Sequence, residues 1–277
     1  MAKYRNGIRF INNSFKDKPA RKLYRSDVES FLDFLVKKNY SKNYIKDIKG
    51  TLSSILAYGV DEKMIYNNPC NKARVSRKAR STNARGSFTP SELKQIEKYY
   101  KEIPFGYTVY TMLKTGMRAQ EICAIGKDSL VVKNKERFIY IYRAMKRTSN
   151  GAWIFGDPKS DNSFRDIPVS KEIYNHIATT ILSNKHGLYL PRKDGQPISY
   201  TLFLEKYKAF FTELQKKADV RYLPPHCCRH TFSSSLEWEK VSPFVIRDLM
   251  GHSDVEMTND YTHASDEERI AAIKKIV

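Results

Sequence analysis

The chain has 277 residues, 41% of them hydrophobic, and a formal net charge of +19. That length provides core for one large domain or two smaller ones. No apolar run is long enough to span a membrane, and the start, Met1-Ala2-Lys3-Tyr4-Arg5-Asn6, has charge without the apolar run of a secretory signal. The four cysteines, Cys70, Cys123, Cys227 and Cys228, fall in no paired spacing, which excludes a disulfide scaffold and fits a reducing cytoplasm. The charge is uneven: residues 1–86 carry 20 Lys and Arg against 7 Asp and Glu, and the remainder 29 against 23. A strongly basic front half joined to a more balanced back half points to a module that grips a polyanion, attached to one that does more than grip.

In chain order, Ser26 is placed to cap a helix with Val28, Phe31, Leu32, Leu35 and Val36 on one face. Ser41 begins a second, carrying Ile45, Ile48, Leu52, Ile55 and Leu56, with Gly59 as its stop. A short helix is expected over 61–70, ending near Asn68-Pro69. Residues 72–86 lack a hydrophobic period and hold Lys72, Arg74, Arg77, Lys78, Arg80 and Arg85 with no acidic residue. This reads as a linker whose charges meet phosphates, since it joins two candidate nucleic-acid-binding units.

Thr89-Pro90-Ser91-Glu92 has the form of a capping box with proline at the first helical position, and helical patterning runs to about residue 126. Four short β-prone runs follow: Val131-Val132, Phe138 to Tyr142, Trp153 to Phe155 and Phe164 to Val169. Helical patterning then resumes, with starts at Ser170, Ser199, Pro225, Ser242, Ser253 and Ser265. The expected fold class is mainly α with a small antiparallel β-sheet.

Several residues carry chemistry. Gly116 is placed to break a helix, which sets Arg118 near the next helix N-terminus, where backbone N–H groups favour phosphate. Taken alone, Arg118 is better read as a surface arginine paired with Glu121 at i+3. His226 and Arg229 lie three apart after Pro224-Pro225, on one face of a first turn. His230 faces elsewhere and reads as structural. Adjacent residues such as His226, Cys227, Cys228 and His230 do not converge on one zinc ion. His252 follows Gly251, and Tyr261 comes nine residues later.

Thr115-Gly-Met-Arg118-Ala-Gln-Glu121, His226-Cys-Cys-Arg229-His-Thr-Phe, Leu249-Met-Gly-His252 and Tyr261-Thr-His263 occur in that order. Together they resemble the signature boxes of the tyrosine recombinase (phage-type integrase) family, over residues 87–265. The front half is similar, more loosely, to the family's helical core-binding domain. The resemblance implies a core-binding domain at 1–71, a basic linker at 72–86 and a catalytic domain at 87–277 with a C-terminal helix.

It also implies site-specific cleavage and rejoining of DNA strands through a 3′-phosphotyrosine. Tyr261 would attack, Arg118 and Arg229 would neutralise the non-bridging oxygens, and His226 would act as general acid/base. His252 would hydrogen-bond the phosphate, and Glu121 would orient an active-site side chain. The family's lysine corresponds to Lys159 in the segment Asp157 to Val169, with Lys146, in another nearby turn, as the alternative. No cofactor and no metal are expected.

The implied partners are double-stranded DNA, further copies of the chain (a tetramer on DNA, a monomer or dimer when free) and accessory DNA-bending or directionality proteins. With some twenty-five residues before its first expected helix, the chain departs from the N-terminal arm-binding domain that many mobile-element integrases carry, and a compact integrase, a truncated one or a housekeeping enzyme is expected. The resemblance leaves mobile-element integration open beside chromosome-dimer resolution, a type IB topoisomerase-like relaxase and a DNA-binding protein without cleavage. Ser265 and Glu268 form a capping box before a stripe of Ile270, Ile273 and Val277. That last helix is expected to dock either on its own domain or on a neighbouring protomer.

Overall fold

A computed structural model of the chain describes residues 2–80, 86–158, 161–251 and 264–277. It divides into two units, Met1–Ala84 and Arg85–Val277.

The first unit is helical: α1 (Ala2–Phe15), α2 (Arg25–Lys37) and α3 (Lys42–Asp61). Its core takes Val28, Phe31, Leu32 and Leu35 from α2, and Ile45, Ile48, Leu52 and Leu56 from α3, so helical periodicity marks both buried faces. Ser41 caps α3 by accepting the Tyr44 N–H at 3.3 Å.

The start of α2 lies earlier than Ser26. Asp27 accepts the Tyr24 N–H at 2.8 Å, which makes Tyr24 the N-cap. α1 was not expected from the sequence. Its Gly7 lies so close to Thr51 of α3 that an added Cβ would approach Thr51 Oγ1 to 2.9 Å, so a glycine that weakens a lone helix here permits close packing. α3 runs through Gly59, and 61–70 forms turns rather than a helix. Asn68 holds these turns, donating to the Ser53 carbonyl at 2.8 Å and accepting the Cys70 N–H at 3.0 Å.

The first part of the basic tract is folded onto this unit. Ala73 and Ala79 are buried in its core, Lys49 Nζ donates to the Ala73 carbonyl at 2.6 Å, and the Lys42 N–H donates to the Arg80 carbonyl at 2.8 Å. The small residues between the charges let it lie down, leaving Lys72, Arg74, Arg77, Lys78 and Arg80 exposed.

The second unit contains α4 (Pro90–Tyr99), α5 (Gly106–Thr115), α6 (Ala119–Ile122), β1 (Leu130–Lys133), β2 (Glu136–Ile141), β3 (Ala144–Arg147), β4 (Trp153–Gly156), β5 (Arg165–Pro168), α7 (Lys171–Leu182), α8 (Tyr200–Leu214), α9 (His226–Trp238), α10 (Pro243–Met250) and α11 (Asp266–Lys274). β1, β2 and β5 form one antiparallel sheet, with Ile139 opposite both Leu130 and Ile167, and β3 and β4 form a separate hairpin. The expected mainly α architecture with small antiparallel sheets is the one observed.

Phe203, Tyr207, Phe210 and Phe211 of α8 anchor the main core, where Phe88 stacks on Phe211 at 5.6 Å. Thr89 and Glu92 form the expected capping box. A smaller cluster joins Phe232 and Leu236 of α9, Val245, Ile246 and Leu249 of α10, and Ala272 and Ile273 of α11.

The C-terminal helix thus packs on its own domain in this single chain. Its inward face is Ala272 and Ile273, with Ile276 partly buried, whereas Val277 is exposed. Among the described residues no helix is long and apolar enough to cross a membrane.

Candidate active site

The site begins where α5 ends. Gly116 has a left-handed backbone, φ 62°, and an added Cβ would meet the Phe232 ring at 2.4 Å. Only glycine makes this turn against α9. Two residues on, Arg118 becomes the N-cap of α6. Its backbone N–H donates to Glu121 Oε2 at 2.8 Å and its Nη1 to Glu121 Oε1 at 2.7 Å. The Arg118–Glu121 pair foreseen at i+3 therefore exists, but Glu121 is 2% exposed and belongs to the interior.

Arg229 lies one turn into α9 and is 2% exposed. Its Nη1 donates to the Gly116 carbonyl at 2.7 Å, and its Nη2 donates to the Met250 carbonyl. Burial, reinforced by the neighbouring charges of Arg118 and Arg165 and opposed by Glu121, pulls this guanidinium down to about 9. His226, the first residue of α9, is exposed, and the His230 ring meets it edge-on at 4.6 Å. Cys228 faces the core, its Sγ 3.3 Å from the Tyr207 hydroxyl.

Arg165 received no role from the sequence. It opens β5, is 7% exposed and grips Glu121 with Nη2 to Oε2 at 2.9 Å and Nη1 to Oε1 at 3.3 Å. Its Nε donates to the Leu249 carbonyl at 2.9 Å, and Nη1 also reaches the Ser163 carbonyl at 3.0 Å. The only hint in sequence is an arginine near the start of the β-prone run Phe164 to Val169.

Three successive carbonyls at the end of α10 each take one arginine. Leu249 accepts Arg165, Met250 accepts Arg229, and Gly251 accepts Arg118 Nη2 at 3.4 Å. A helix C-terminus offers unpaired carbonyls and partial negative charge, so it suits converging cations. Gly251 has φ 60°, and an added Cβ would lie 2.7 Å from the Asn162 carbonyl and 3.1 Å from Arg165 Cδ. The glycine before His252 is thus required by its left-handed backbone and by the close approach of the Asn162 carbonyl and Arg165.

Among the described residues, three guanidiniums and one carboxylate leave two formal positive charges in a mostly buried site. An anion is the natural complement.

The Glu121 carboxyl is pushed up by burial, but the charge and hydrogen bonds of Arg165, with those of Arg118, more than reverse this and hold it at about 2. Its folded value lies below its ordinary 4.5, so its contribution to stability is complete above 4.5 and is lost as pH falls through about 2. The shift corresponds to about 3 kcal/mol. Urea midpoints measured from pH 5 to pH 2 should fall in wild type and fall less in Glu121→Gln; parallel curves would remove Glu121 as the cause.

Lys146 is not in a turn. It lies within β3, opposite Ile154, exposed, with its stem over Gly156. The run 144–147 gives little strand signal because two of its four residues are charged. Lys159, His252, Tyr261 and Arg85, and the helix expected after Ser253, lie outside the described residues.

The sequence profile of the phage integrase family matches residues 87–268. A XerC-like tyrosine recombinase of Caldanaerobacter subterraneus subsp. tengcongensis is 22% identical over 99% of this chain and 75% of its own length. The transposase of transposon Tn916 from Enterococcus faecalis is 25% identical over 66% of this chain, which spans about half of that protein, 46%. The Tn1549 transposon integrase, solved with a circular intermediate DNA, superposes with a TM-score of 0.76 at 20% identity, over 98% of this chain and 92% of the other. The arginine cluster lies inside the matched region, and this chain belongs to the phage integrase family, the tyrosine recombinases.

Proposed function

We propose that this tyrosine recombinase cleaves and rejoins DNA at specific sites through a 3′-phosphotyrosine on Tyr261, and thereby integrates or excises a mobile element. The observation that carries the reading is the convergence of Arg118, Arg165 and Arg229 on the carbonyls before His252. Such a cluster binds a phosphodiester and stabilises the added charge of its transition state.

In this mechanism the Tyr261 oxygen bonds to phosphorus as the bond to the 5′ oxygen breaks. Arg118 and Arg229 hold the non-bridging oxygens, each with a planar guanidinium able to grip two atoms. His226, at the mouth of α9, takes the tyrosine proton, and Lys159 gives one to the departing 5′ oxygen. His252 hydrogen-bonds the phosphate. The 5′ hydroxyl of a partner strand then attacks the phosphotyrosine, so bond energy is conserved and no nucleotide cofactor enters.

Residues 1–71 would grip the duplex as a core-binding domain, with the folded-down first part of 72–86 beside it and the rest as the link, and 87–277 would carry the chemistry. Lys72, Arg74, Arg77, Lys78, Arg80 and Arg85 would contact phosphates. Each such contact removed should lower the slope of log affinity against log salt by about 0.9. Alanine replacements at Lys72, Arg74 and Arg77 with an unchanged slope would place DNA elsewhere. The chain would act as a tetramer on DNA, and a λ integrase tetramer bound to a Holliday junction shares the fold at a TM-score of 0.61.

The mobile-element role draws on the transposase and integrase relatives, and chromosome-dimer resolution on the Xer-type ones. A supercoiled plasmid bearing two copies of the element's joined ends separates these readings from relaxation. Recombinant circles are expected. Relaxed plasmid without recombinants would favour a topoisomerase-like activity, and recombination only at chromosomal terminus sites would favour dimer resolution.

A further inference from the structure

Glu121 raises a question of charge. It sits 2% exposed beneath Arg118, and a buried carboxylate beside a phosphate-binding guanidinium would cancel the charge that the phosphate needs. The carboxylate is shared, however. It accepts two hydrogen bonds from Arg118, at 2.8 and 2.7 Å, and two from Arg165, at 2.9 and 3.3 Å.

We propose that Arg165 is a positioning residue which offsets the charge of Glu121, so that Arg118 and Arg229 together present two net positive charges to the reacting phosphate. This rests on the strand-cleaving function proposed above. A phosphodiester carries one negative charge, and the five-coordinate transition state carries two. Two net positive charges match the transition state better than the ground state, and only such a difference accelerates the reaction.

Without Arg165, Glu121 pairs with Arg118 alone and one net positive charge remains. Ground-state binding then survives, while the transition state loses its match. Arg165 is well placed for this task and poorly placed to touch DNA. Its side chain is 4% exposed, and two further donations go to the Leu249 and Ser163 carbonyls.

Charge matching and simple bracing predict different outcomes for a double variant. Arg165→Met, Glu121→Gln and the pair are compared with wild type. The probe is a labelled pool of nicked duplexes from the DNA flanking the coding sequence, with single-turnover formation of the covalent complex and duplex affinity as readouts. Arg165→Met should slow covalent-complex formation about 100-fold, the scale of one lost charge-stabilising donor. Affinity should change by less than about threefold, because uniform binding is retained. The double variant, which regains two net positive charges, should return to within about tenfold of wild type.

If methionine at 165 does not fold, as judged by thermal unfolding, Arg165→Lys keeps the charge but loses the fork, and cleavage should stay within about tenfold of wild type. A double variant no faster than Arg165→Met, or an Arg165→Lys as slow as complete loss, would make Arg165 only a brace and overturn the inference. Wild type that binds the pool and forms no covalent complex would instead overturn the strand-cleaving reading itself.

Discussion

Arg229→Lys should lower single-turnover strand cleavage about 1000-fold, near the upper range for removing one preorganised charge-stabilising group. Formally the substitution preserves charge. Arg229, however, bridges the Gly116 carbonyl after α5 and the Met250 carbonyl at the end of α10, from inside the protein. A lysine ammonium is a single point and cannot hold both while facing a phosphate. One buried carbonyl would be left without its donor, at a cost of about 1–3 kcal/mol, so the thermal midpoint should fall as well.

Burial already depresses the Arg229 guanidinium to about 9, and a lysine in the same place starts lower and loses its proton more readily. Raising the pH from 7 to 9 should therefore slow Arg229→Lys further relative to wild type. Cleavage by Arg229→Lys within tenfold of wild type would mean that the fork contributes nothing beyond its charge.

Tyr261→Phe should abolish the covalent complex while leaving duplex affinity within about twofold of wild type, because only the attacking atom is removed. The phenol is a poor nucleophile at neutral pH and acts only beside a base and a charged phosphate pocket. With the oxygen gone, the arginines still bind the phosphate but no bond to protein forms. Affinity that fell with cleavage would indicate that the tyrosine holds DNA rather than attacking it.

What the sequence reveals about this fold is mostly local chemistry. Ser41, Ser170, Ser199 and Ser265 each cap the helix that follows, since a cap needs only neighbours three residues away. Thr89 and Glu92 are legible for the same reason. α1 is not, because Gly7 contributes through Thr51, forty-four residues further on. The start of α2 shifts to Tyr24 because Asp27, rather than Ser26, supplies the capping oxygen.

The site divides in the same way. Arg118, Glu121 and Arg229 are legible as motif residues, and Gly116 as a helix stop. Arg165 is illegible because its partners, Glu121 and Leu249, lie 44 and 84 residues away. The meaning of Gly251 likewise comes from distant residues, the Asn162 carbonyl and Arg165. Lys146 looked like a turn residue because the strand around it is short and ends in charge. The burial of Arg229 appears only once α9 lies against the ends of α5 and α10.

The central claim is metal-free attack by Tyr261 on DNA. The most direct test is covalent trapping in EDTA. Wild type and Tyr261→Phe are incubated with labelled nicked duplexes from the DNA flanking the coding sequence and resolved on denaturing gels. A labelled protein band in wild type alone is the predicted result. A band that persists in Tyr261→Phe, or one that forms only when divalent metal is restored, would contradict it.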